Sequence, residues 1–392
     1  MISISRLLCD TISPGDSLRY GSHRPAGASA GRMVRSPGPV IVWNCTRRCN
    51  LSCIHCYASA RDRKDPAELS TGQGKKLIGD LVDFKVPVVL FSGGEPLMRD
   101  DIFELADFAS RKGLRVALST NGTLIDAQRA GRIKEIGFAE VGISLDGIGS
   151  VNDRFRRAKG AYRAALQGIR NCLALGIRVS LRLTITRSNH GQVAAIFGLA
   201  EAEGIDRLCF YHLAYSGRGG NLQEEDVTHD QARSTVDEIC RNTLDLHSRG
   251  LNKEVLTVGN HADGVYLYLK LLKEDPGRAA TVKELLKING GNNSGVRIGC
   301  IDDVGDVHPD QFWMHYSLGN VTQRKFGEIW QDPSEPLLQG LRERKKLLKG
   351  RCSNCRYLDL CNGSLRVRAE AVHSDIWAED PACYLTEAEI GV

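Results

Sequence analysis

Six short apolar runs rich in β-branched residues recur between residues 39 and 213. They are PVIVW (39–43), VPVVLFS (86–92), LRVALST (114–120), EVGISL (140–145), RVSLRLTI (178–185) and RLCFYHL (207–213). Runs of this length are typical of parallel strands that are buried on both faces. Intervening stretches such as DDIFELADFASRKG (100–113) place apolar residues at helical spacing and end on glycine. Six strand–helix units predict an α/β fold, a partial, TIM-like (β/α)6 barrel that stays open.

Polar clusters follow five of these six predicted strands. Four cysteines come after the first strand, GGEP (93–96) after the second, TNG (120–122) after the third, DG (146–147) after the fourth and SGRGG (216–220) after the sixth. Parallel barrels carry their working residues on the loops after the carboxyl ends of the strands. The clusters therefore predict one functional site at one end of the barrel.

The composition excludes several classes of protein. The chain has 392 residues, no run of about 18 apolar residues and no apolar signal-peptide segment in its first thirty residues, so we expect a cytoplasmic protein with no membrane partner. A net charge of +5 is too small to indicate a nucleic-acid partner. Thirteen cysteines in such a chain favour metal or redox chemistry over disulfides.

We expect four regions along the chain. Residues 1–36 show no sustained periodicity and are predicted to be an irregular N-terminal extension that follows one possible short helix. The barrel occupies residues 37–224, and a helical and mixed connecting region occupies residues 225–345. Residues 346–392 have too little apolar periodicity for much of a core, so a metal centre is expected to stabilise this C-terminal domain.

Cys49, Cys53 and Cys56 have the spacing C-x3-C-x2-C. Three thiolates at this spacing can bind a [4Fe-4S] cluster and leave its fourth iron without a protein ligand, so that another molecule can bind that iron. We therefore predict these three cysteines as the catalytic metal ligands. Cys45 precedes the motif and is interpreted as a buried thiol.

A second set of cysteines lies near the C-terminus. Cys352, Cys355, Cys361 and Cys383 have the spacing C-x2-C-x5-C-x21-C. Four thiolates complete either a zinc site or an iron–sulfur cluster, and the spacing alone leaves both open. Cys300 is interpreted as a buried thiol, with an approach to a cluster as the alternative.

The chain resembles the radical S-adenosylmethionine (SAM) enzymes, whose first motif matches the three cysteines and whose second motif matches GGEP. The resemblance implies that SAM binds the open iron and that reduction then yields a 5′-deoxyadenosyl radical, which removes a hydrogen atom from the substrate. The C-terminal cysteines resemble the SPASM/Twitch auxiliary domain, which implies two [4Fe-4S] clusters. The SAM-binding residues implied are Tyr57, Gly93, Gly94, Glu95, Pro96, Ser119, Asn121, Ser144, Asp146 and Arg156, with Glu95 accepting from the methionine ammonium.

Within this superfamily the chain is similar to the haem branch, and most to the NirJ family of haem d1 biosynthesis, in stretches such as FYHLAYSGRG (210–219) and GDVHPDQFW (305–313). The resemblance implies removal of propionate side chains from the iron tetrapyrrole 12,18-didecarboxysirohaem, with electrons from a flavodoxin or ferredoxin. One alternative is the sister enzyme of the alternative haem pathway, which removes acetate groups to give iron-coproporphyrin. A radical SAM/SPASM peptide maturase and a non-enzymatic cluster- or haem-binding scaffold are further alternatives.

A polycarboxylate iron macrocycle needs cations for its acids and suits an imidazole for its iron. The substrate candidates are His212, Arg218, His261, His308 and His315. Other arginines near strand ends or in the cluster domain fit an acidic substrate as a group; they are Arg47, Arg48, Arg182, Arg187, Arg366 and Arg368. The candidates for contact with the faces of the ring are Trp43, Tyr211, Phe312, Trp313 and Tyr316. For each residue, an ordinary core or surface position is the alternative.

Overall fold

The computed structural model describes residues 1–21 and 38–391, which contain one ten-stranded sheet. Its strands are β1 (Ile2–Ser3), β2 (Val40–Asn44), β3 (Val88–Ser92), β4 (Arg115–Thr120), β5 (Val141–Ser144), β6 (Val179–Ile185), β7 (Arg207–His212), β8 (Glu254–Val258), β9 (Ile298–Ile301) and β10 (Val307–His308). Their order is β1-β8-β7-β6-β5-β4-β3-β2-β9-β10. Strands β2 to β9 pair in parallel, whereas the outermost pairs, β1–β8 and β9–β10, are antiparallel. Because this order is linear, the barrel is open.

Helices connect the strands and pack around the sheet. The α-helices are α1 (Ile4–Cys9), α2 (Asp16–Tyr20), α3 (Thr71–Asp83), α4 (Ile102–Arg111), α5 (Ala127–Ile136), α6 (Ser150–Arg156), α7 (Ala161–Ala174), α8 (Val193–Ala202), α9 (His229–Ser248), α10 (Ala262–Glu274), α11 (Pro276–Asn289), α12 (Phe326–Trp330), α13 (Pro336–Arg342), α14 (Leu358–Cys361), α15 (Arg366–His373) and α16 (Glu387–Ile390). Short 3₁₀ helices span Pro96–Met98, His190–Gln192, Gly217–Glu225, Arg344–Lys346 and Gly350–Cys352. Within residues 1–21 and 38–391, no helix combines the length and apolar character needed to cross a membrane.

Local sequence signals set several helix ends. Helix α3 begins at a capping box, in which the Ser70 side chain accepts from the N–H of Gln73 and the Gln73 side chain accepts from the N–H of Ser70. Helix α9 begins with the same arrangement. Helix α5 ends at Gly137, whose φ of 79° suits glycine. These caps fix where each helix leaves the sheet, and therefore which residues remain in the loops.

All six predicted strands are present, and the partial barrel is confirmed. Two further parallel strands come from the region that the sequence predicts to be a connection. Strand β8 pairs with β7, and β9 pairs with β2, so these strands extend the sheet on both sides. Strands β8 and β9 have five and four residues, and neither lies in the regular alternation of strand and helix that marks residues 39–213.

The expectation of an irregular N-terminal extension is wrong for residues 2–20. Ile2 pairs with Thr257 of β8, and the side chains of Ile2, Ile4 and Leu7 are at most 1 % exposed. The side chain of Ser3 caps helix α1. This segment joins the core because its few apolar residues cover the edge of β8. Residues 22–36 of the predicted extension lie outside the described residues.

The C-terminal region packs on the ends of β7 and β8 through a fully buried arginine. Arg368 pairs with Asp380, with 2.7 Å between Nε and Oδ1. It also donates to the carbonyl oxygens of Leu213 and Gly259, each at 2.8 Å. Because Leu213 follows β7 and Gly259 follows β8, Arg368 joins the cluster domain to the barrel and does not reach a substrate. Arg366 has the same structural role, since its guanidinium is buried against backbone carbonyls.

Candidate active site

A large cavity opens where strands β2 to β7 end. It encloses about 1140 Å³, part of which is open to solvent. The three motif cysteines border it, and so do residues from the end of every one of these strands. The structure thus brings together the polar clusters that follow the predicted strands.

The motif cysteines share one wall of the cavity. Cys49 and Cys53 lie in one apolar cluster, and Cys56 packs against it. Sγ of Cys49 accepts a hydrogen bond from the N–H of Leu51 and Sγ of Cys56 from that of Ala60, each at 3.4 Å. Burial raises the pKa of the Cys49 thiol to about 12, so its thiolate needs the positive charge of a metal. Donors directed at the sulfurs and a common wall fit three ligands of one [4Fe-4S] cluster.

Three ionisable groups surround Cys53. Arg156 donates to Sγ of Cys53 at 3.5 Å and pairs with Asp146. Oδ1 of Asp146 accepts from the N–H of Thr184 at 2.8 Å, so β6 fixes the carboxylate. Oδ2 of Asp146 lies 3.3 Å from Nε2 of His55, and burial lowers the pKa of that histidine although Asp146 opposes the effect. His55 lies between two motif cysteines and borders the cavity, a position that the sequence analysis missed.

The glycines of GGEP let two loops approach each other. Gly93 has a φ of 131°, and a Cβ there would lie 2.3 Å from the carbonyl oxygen of Thr46. A Cβ on Gly94 would lie 2.3 Å from the carbonyl oxygen of Arg48. The N–H of Gly94 donates to the Thr46 carbonyl at 2.7 Å. Both glycines border the cavity, and their first role is to pack this loop against the cysteine loop.

Glu95 lies behind the cavity wall. Its carboxylate is inaccessible and accepts from the hydroxyl of Thr120 (2.7 Å) and the N–H groups of Asn121 (2.8 Å) and Leu97 (3.1 Å). It therefore joins the GGEP loop to the end of β4. This geometry corrects the expected contact between Glu95 and the methionine ammonium. Pro96 is likewise buried, as the first residue of a 3₁₀ helix.

The remaining predicted SAM contacts border the cavity. They are Tyr57, Ser119, Asn121, Ser144, Asp146 and Arg156. The hydroxyl of Tyr57 donates to Oδ1 of Asn44 at 3.0 Å, and the Tyr57 ring packs edge-on against Phe312. Phe312 also borders the cavity, so the region after β10 contributes to the site. The amide of Asn121 donates to Oδ1 of Asn50 at 2.8 Å, which ties β4 to the cysteine loop.

Arg218 holds the cysteine loop. Its Nε and Nη1 donate to the carbonyl oxygens of Cys53 (2.8 Å) and Ala60 (2.7 Å), and its backbone N–H donates to that of Cys56 (3.0 Å). Its Nη2 is buried and has no hydrogen-bond partner within the described residues. Arg218 borders the cavity, but most of its donors serve the loop.

Of the four histidine candidates, His212 alone borders the cavity in the described part of the chain. Its Nε2 lies 2.9 Å from Oδ2 of Asp263 on helix α10. His261, His308 and His315 lie elsewhere. Nε2 of His261 is 3.2 Å from the N-terminal amine, Nδ1 of His308 donates to the Tyr316 carbonyl at 2.8 Å, and Nε2 of His315 is 2.9 Å from Glu370.

The four C-terminal cysteines also come together. Burial raises the pKa of Cys361, and the nearby thiols of Cys383, Cys352 and Cys355 raise it further. Backbone N–H groups two positions later point at three of the sulfurs, and the donor to Cys355 lies at 3.4 Å. These donors belong to Tyr357, Gly363 and Leu385.

Among the described residues, no group of three or more His, Cys, Asp or Glu side chains forms a site for a single metal ion. Four thiolates complete either a zinc site or a [4Fe-4S] cluster.

Two family models match the chain: the radical SAM superfamily over residues 43–199 and SPASM, an iron–sulfur cluster-binding domain, over residues 295–356. The chain is 54 % identical over 395 residues to the "Fe-coproporphyrin III synthase" of Methanosarcina barkeri, covering 100 % of this chain and 99 % of the relative. It is 45 % identical over 364 residues to the "Pre-heme d1 synthase" of Dinoroseobacter shibae, covering 92 % and 90 %. The chain belongs to the radical SAM superfamily. This radical SAM enzyme therefore uses SAM with a [4Fe-4S] cluster, and its SPASM domain provides an auxiliary iron–sulfur cluster.

A solved structure agrees with the fold. The Streptococcus suis protein SuiB bound to S-adenosylmethionine superposes on this radical SAM enzyme with a TM-score of 0.70 at 18 % identity, covering 89 % of this chain and 78 % of SuiB. The SPASM match begins at residue 295, upstream of the boundary at residue 346 expected from the sequence, and ends before Cys361 and Cys383. The domain boundaries therefore remain a prediction.

Proposed function

We propose that this radical SAM enzyme acts in haem biosynthesis and removes the acetate side chains of 12,18-didecarboxysirohaem to give Fe-coproporphyrin III. The observation that carries this proposal is the 54 % identity to Fe-coproporphyrin III synthase over the whole chain. Propionate removal, as expected from the resemblance to the NirJ family, becomes the second candidate, since the identity to pre-heme d1 synthase is 45 %.

The cavity suits a large anionic substrate. It opens to solvent at the ends of the strands, so a large substrate can place one edge at the site while the rest of it stays outside. Arg156, Arg182 and Arg218 all border it. Guanidinium groups are the preferred partners of carboxylates, and a tetrapyrrole of this class carries several.

The residues of the chain bind the cluster and form the wall of the site. Cys49, Cys53 and Cys56 would bind the SAM cluster, while Arg218 fixes the loop that carries them. SAM and the reduced cluster, when bound, supply a 5′-deoxyadenosyl radical that abstracts a hydrogen atom. The rings of Tyr57 and Phe312 pack edge-on and form an apolar part of the cavity wall. A flavodoxin or ferredoxin is proposed as the electron donor.

Product analysis tests this proposal. Anaerobically reconstituted protein, SAM, dithionite and 12,18-didecarboxysirohaem are incubated, and the tetrapyrrole and the released fragments are identified by mass spectrometry. Loss of two acetate groups with formation of 5′-deoxyadenosine supports the proposal. Loss of propionate carbons supports the second candidate, and 5′-deoxyadenosine without any change in the tetrapyrrole excludes both. Cys53→Ala is the inactive control.

A further inference from the structure

Arg182 belongs to a network of ion pairs that joins residues of helix α2 and of strands β5 to β8 or the positions directly before them. The guanidinium groups belong to Arg19, Arg178, Arg182 and Arg207, and the carboxylates belong to Asp16, Glu140 and Glu254. Four cations share three anions, so one positive charge is in excess. Arg207 and Glu140 pair closely, whereas Arg182 lies 3.7 Å from Glu140. Arg182 is therefore the least closely paired cation of the series, and it borders the cavity.

Arg182 has donors that the protein does not use. Its Nη1 donates to Oγ of Ser119 at 2.7 Å. Its Nε is buried and has no hydrogen-bond partner among the residues that the structure describes. The side chain is 15 % exposed and borders the cavity. A buried cation with a free donor costs free energy unless an anion completes its surroundings.

The barrel makes room for this guanidinium. Gly142 on β5 lies beside it, and a Cβ at Gly142 would be 2.1 Å from Cζ of Arg182. Because Gly142 has no side chain, Arg182 on β6 reaches across β5 to Ser119 on β4. The φ of Gly142 is not in the left-handed region, so the backbone conformation does not require a glycine here. Close packing does, because a side chain at residue 142 would displace the guanidinium of Arg182.

Tyr211 supplies a second free donor beside Arg182. Side chains alternate along β7: Phe210 stacks on Phe197 of helix α8, on the outer face, so Tyr211 points into the barrel. Burial raises the pKa of Tyr211 although Arg182 opposes the effect, so the phenol stays protonated near neutral pH. Its hydroxyl has no hydrogen-bond partner in the described part of the chain, and Tyr211 borders the cavity.

We propose that Arg182 and Tyr211 form a carboxylate-binding subsite inside the barrel, and that this subsite binds the carboxylate of the substrate side chain that loses the hydrogen atom. The inference rests on the proposed function. The interior of a small barrel admits side chains or one small ligand, so a side chain of the macrocycle can enter while the ring stays at the mouth. A loosely paired guanidinium and a phenol without a hydrogen-bond partner in the described residues, both bordering the cavity, match one carboxylate.

Binding measurements without turnover test the subsite. Wild type and Arg182→Gln are titrated anaerobically, without reductant, with 12,18-didecarboxysirohaem and with Fe-coproporphyrin III, which lacks the two acetates, and absorption spectra give both dissociation constants. Since a hydrogen bond to a charged group is worth about 1.5–3 kcal/mol, Arg182→Gln should bind didecarboxysirohaem roughly 10- to 100-fold more weakly. Its affinity for Fe-coproporphyrin III should not change.

A second variant moves the guanidinium without changing any charge. Gly142→Ala places a methyl group against Arg182 and should weaken didecarboxysirohaem binding in the same selective way. The matched controls are Gly131→Ala, where a Cβ meets nothing within 4 Å, and Arg170→Gln, whose exposed side chain pairs with Glu203. Neither control should change either affinity.

Both SAM and the tetrapyrrole carry carboxylates, and the measurements distinguish which of the two molecules the subsite binds. SAM binding, followed by the change it causes in the EPR spectrum of the reduced cluster, should be unaffected in Arg182→Gln. Weaker SAM binding with unchanged tetrapyrrole binding overturns the subsite. Product analysis of the wild type separates the two proposals: propionate loss overturns the proposed function, whereas acetate loss with equal weakening of both tetrapyrroles overturns the subsite.

Discussion

Replacement of Arg368 by methionine is expected to destabilise the protein by about 3–5 kcal/mol, because it leaves a buried carboxylate without its cation. The side chains of Arg368 and Asp380 are 0 % and 1 % exposed, and the pair is bidentate, with N–O distances of 2.7 and 2.9 Å. The variant also removes the donors to two buried carbonyl groups. These losses share one side chain, so their separate costs do not add.

The cost should depend on pH. Burial raises the pKa of Asp380, but Arg368 outweighs burial and holds that pKa at about 2. Because this value is below that of an unfolded aspartate, about 3.9, the pair contributes stability above about pH 4 that is lost as the pH falls toward 2. Without Arg368, burial is opposed only by Arg366 and by backbone donors such as the N–H of Leu365, so the pKa of Asp380 rises and protonation relieves part of the penalty. Arg368→Met should therefore be less destabilising near pH 4 than near pH 7.

Denaturant unfolding of the anaerobic holoprotein, followed by tryptophan fluorescence, measures this cost. The double variant Arg368→Met/Asp380→Asn should recover part of the lost stability, since it also removes the unpaired charge. Arg170→Met breaks an exposed pair with Glu203 and should cost at most about 1 kcal/mol. A loss below about 1 kcal/mol for Arg368→Met, or an equal loss at both pH values, would refute the assigned role of the buried pair.

Three further substitutions test the metal sites. Gly93→Ala should lower the iron content, because the new Cβ would lie 2.3 Å from the Thr46 carbonyl oxygen and would separate the GGEP loop from the cysteine loop. The φ of 131° at this position also disfavours alanine. Iron analysis after reconstitution checks this, with Gly131→Ala as the control. Cys361→Ser should remove about four of about eight irons per chain, while SAM still changes the EPR spectrum of the remaining cluster; loss of both clusters would contradict separate sites. Cys45→Ala should keep all its iron, because Cys45 is fully buried, donates to the Ser92 carbonyl at 3.4 Å and does not border the cavity that the motif cysteines line. A fall in iron content after reconstitution would make Cys45 a ligand.

The barrel was predictable because its signals are local. Each of the six central strands is a contiguous apolar run, and each polar cluster lies at the end of such a run. The parallel connection then places these ends at one side of the sheet without further information. The convergence of the three motif cysteines with Gly93 and Asp146 follows from topology alone.

The outer strands and the role of Glu95 depend on contacts distant in sequence. Strand β1 has two residues and forms because β8 offers an unpaired edge more than 250 positions later. Glu95 has the chemistry of an ammonium acceptor, and the sequence gives no sign that Thr120 and Asn121 occupy its carboxylate. The residue types show which polar groups are present. Which of their lone pairs and donors remain free depends on neighbours that are distant in sequence and come close only in the fold.

The register of β7 decides which of two adjacent residues faces the barrel interior. The chemistry of the two side chains alone favours His212 as the substrate contact, because an imidazole can bind the iron of a macrocycle. Alternation along the strand places the ring of Tyr211 inside and that of His212 toward helix α10, where Asp263 binds it. Asp263 also accepts from the hydroxyl of Tyr384 at 2.8 Å, next to Cys383 of the auxiliary set. His212, which borders the cavity, is thus also part of the contact between the barrel and the cluster domain, whereas the proposed subsite uses the phenol of Tyr211 and the guanidinium of Arg182.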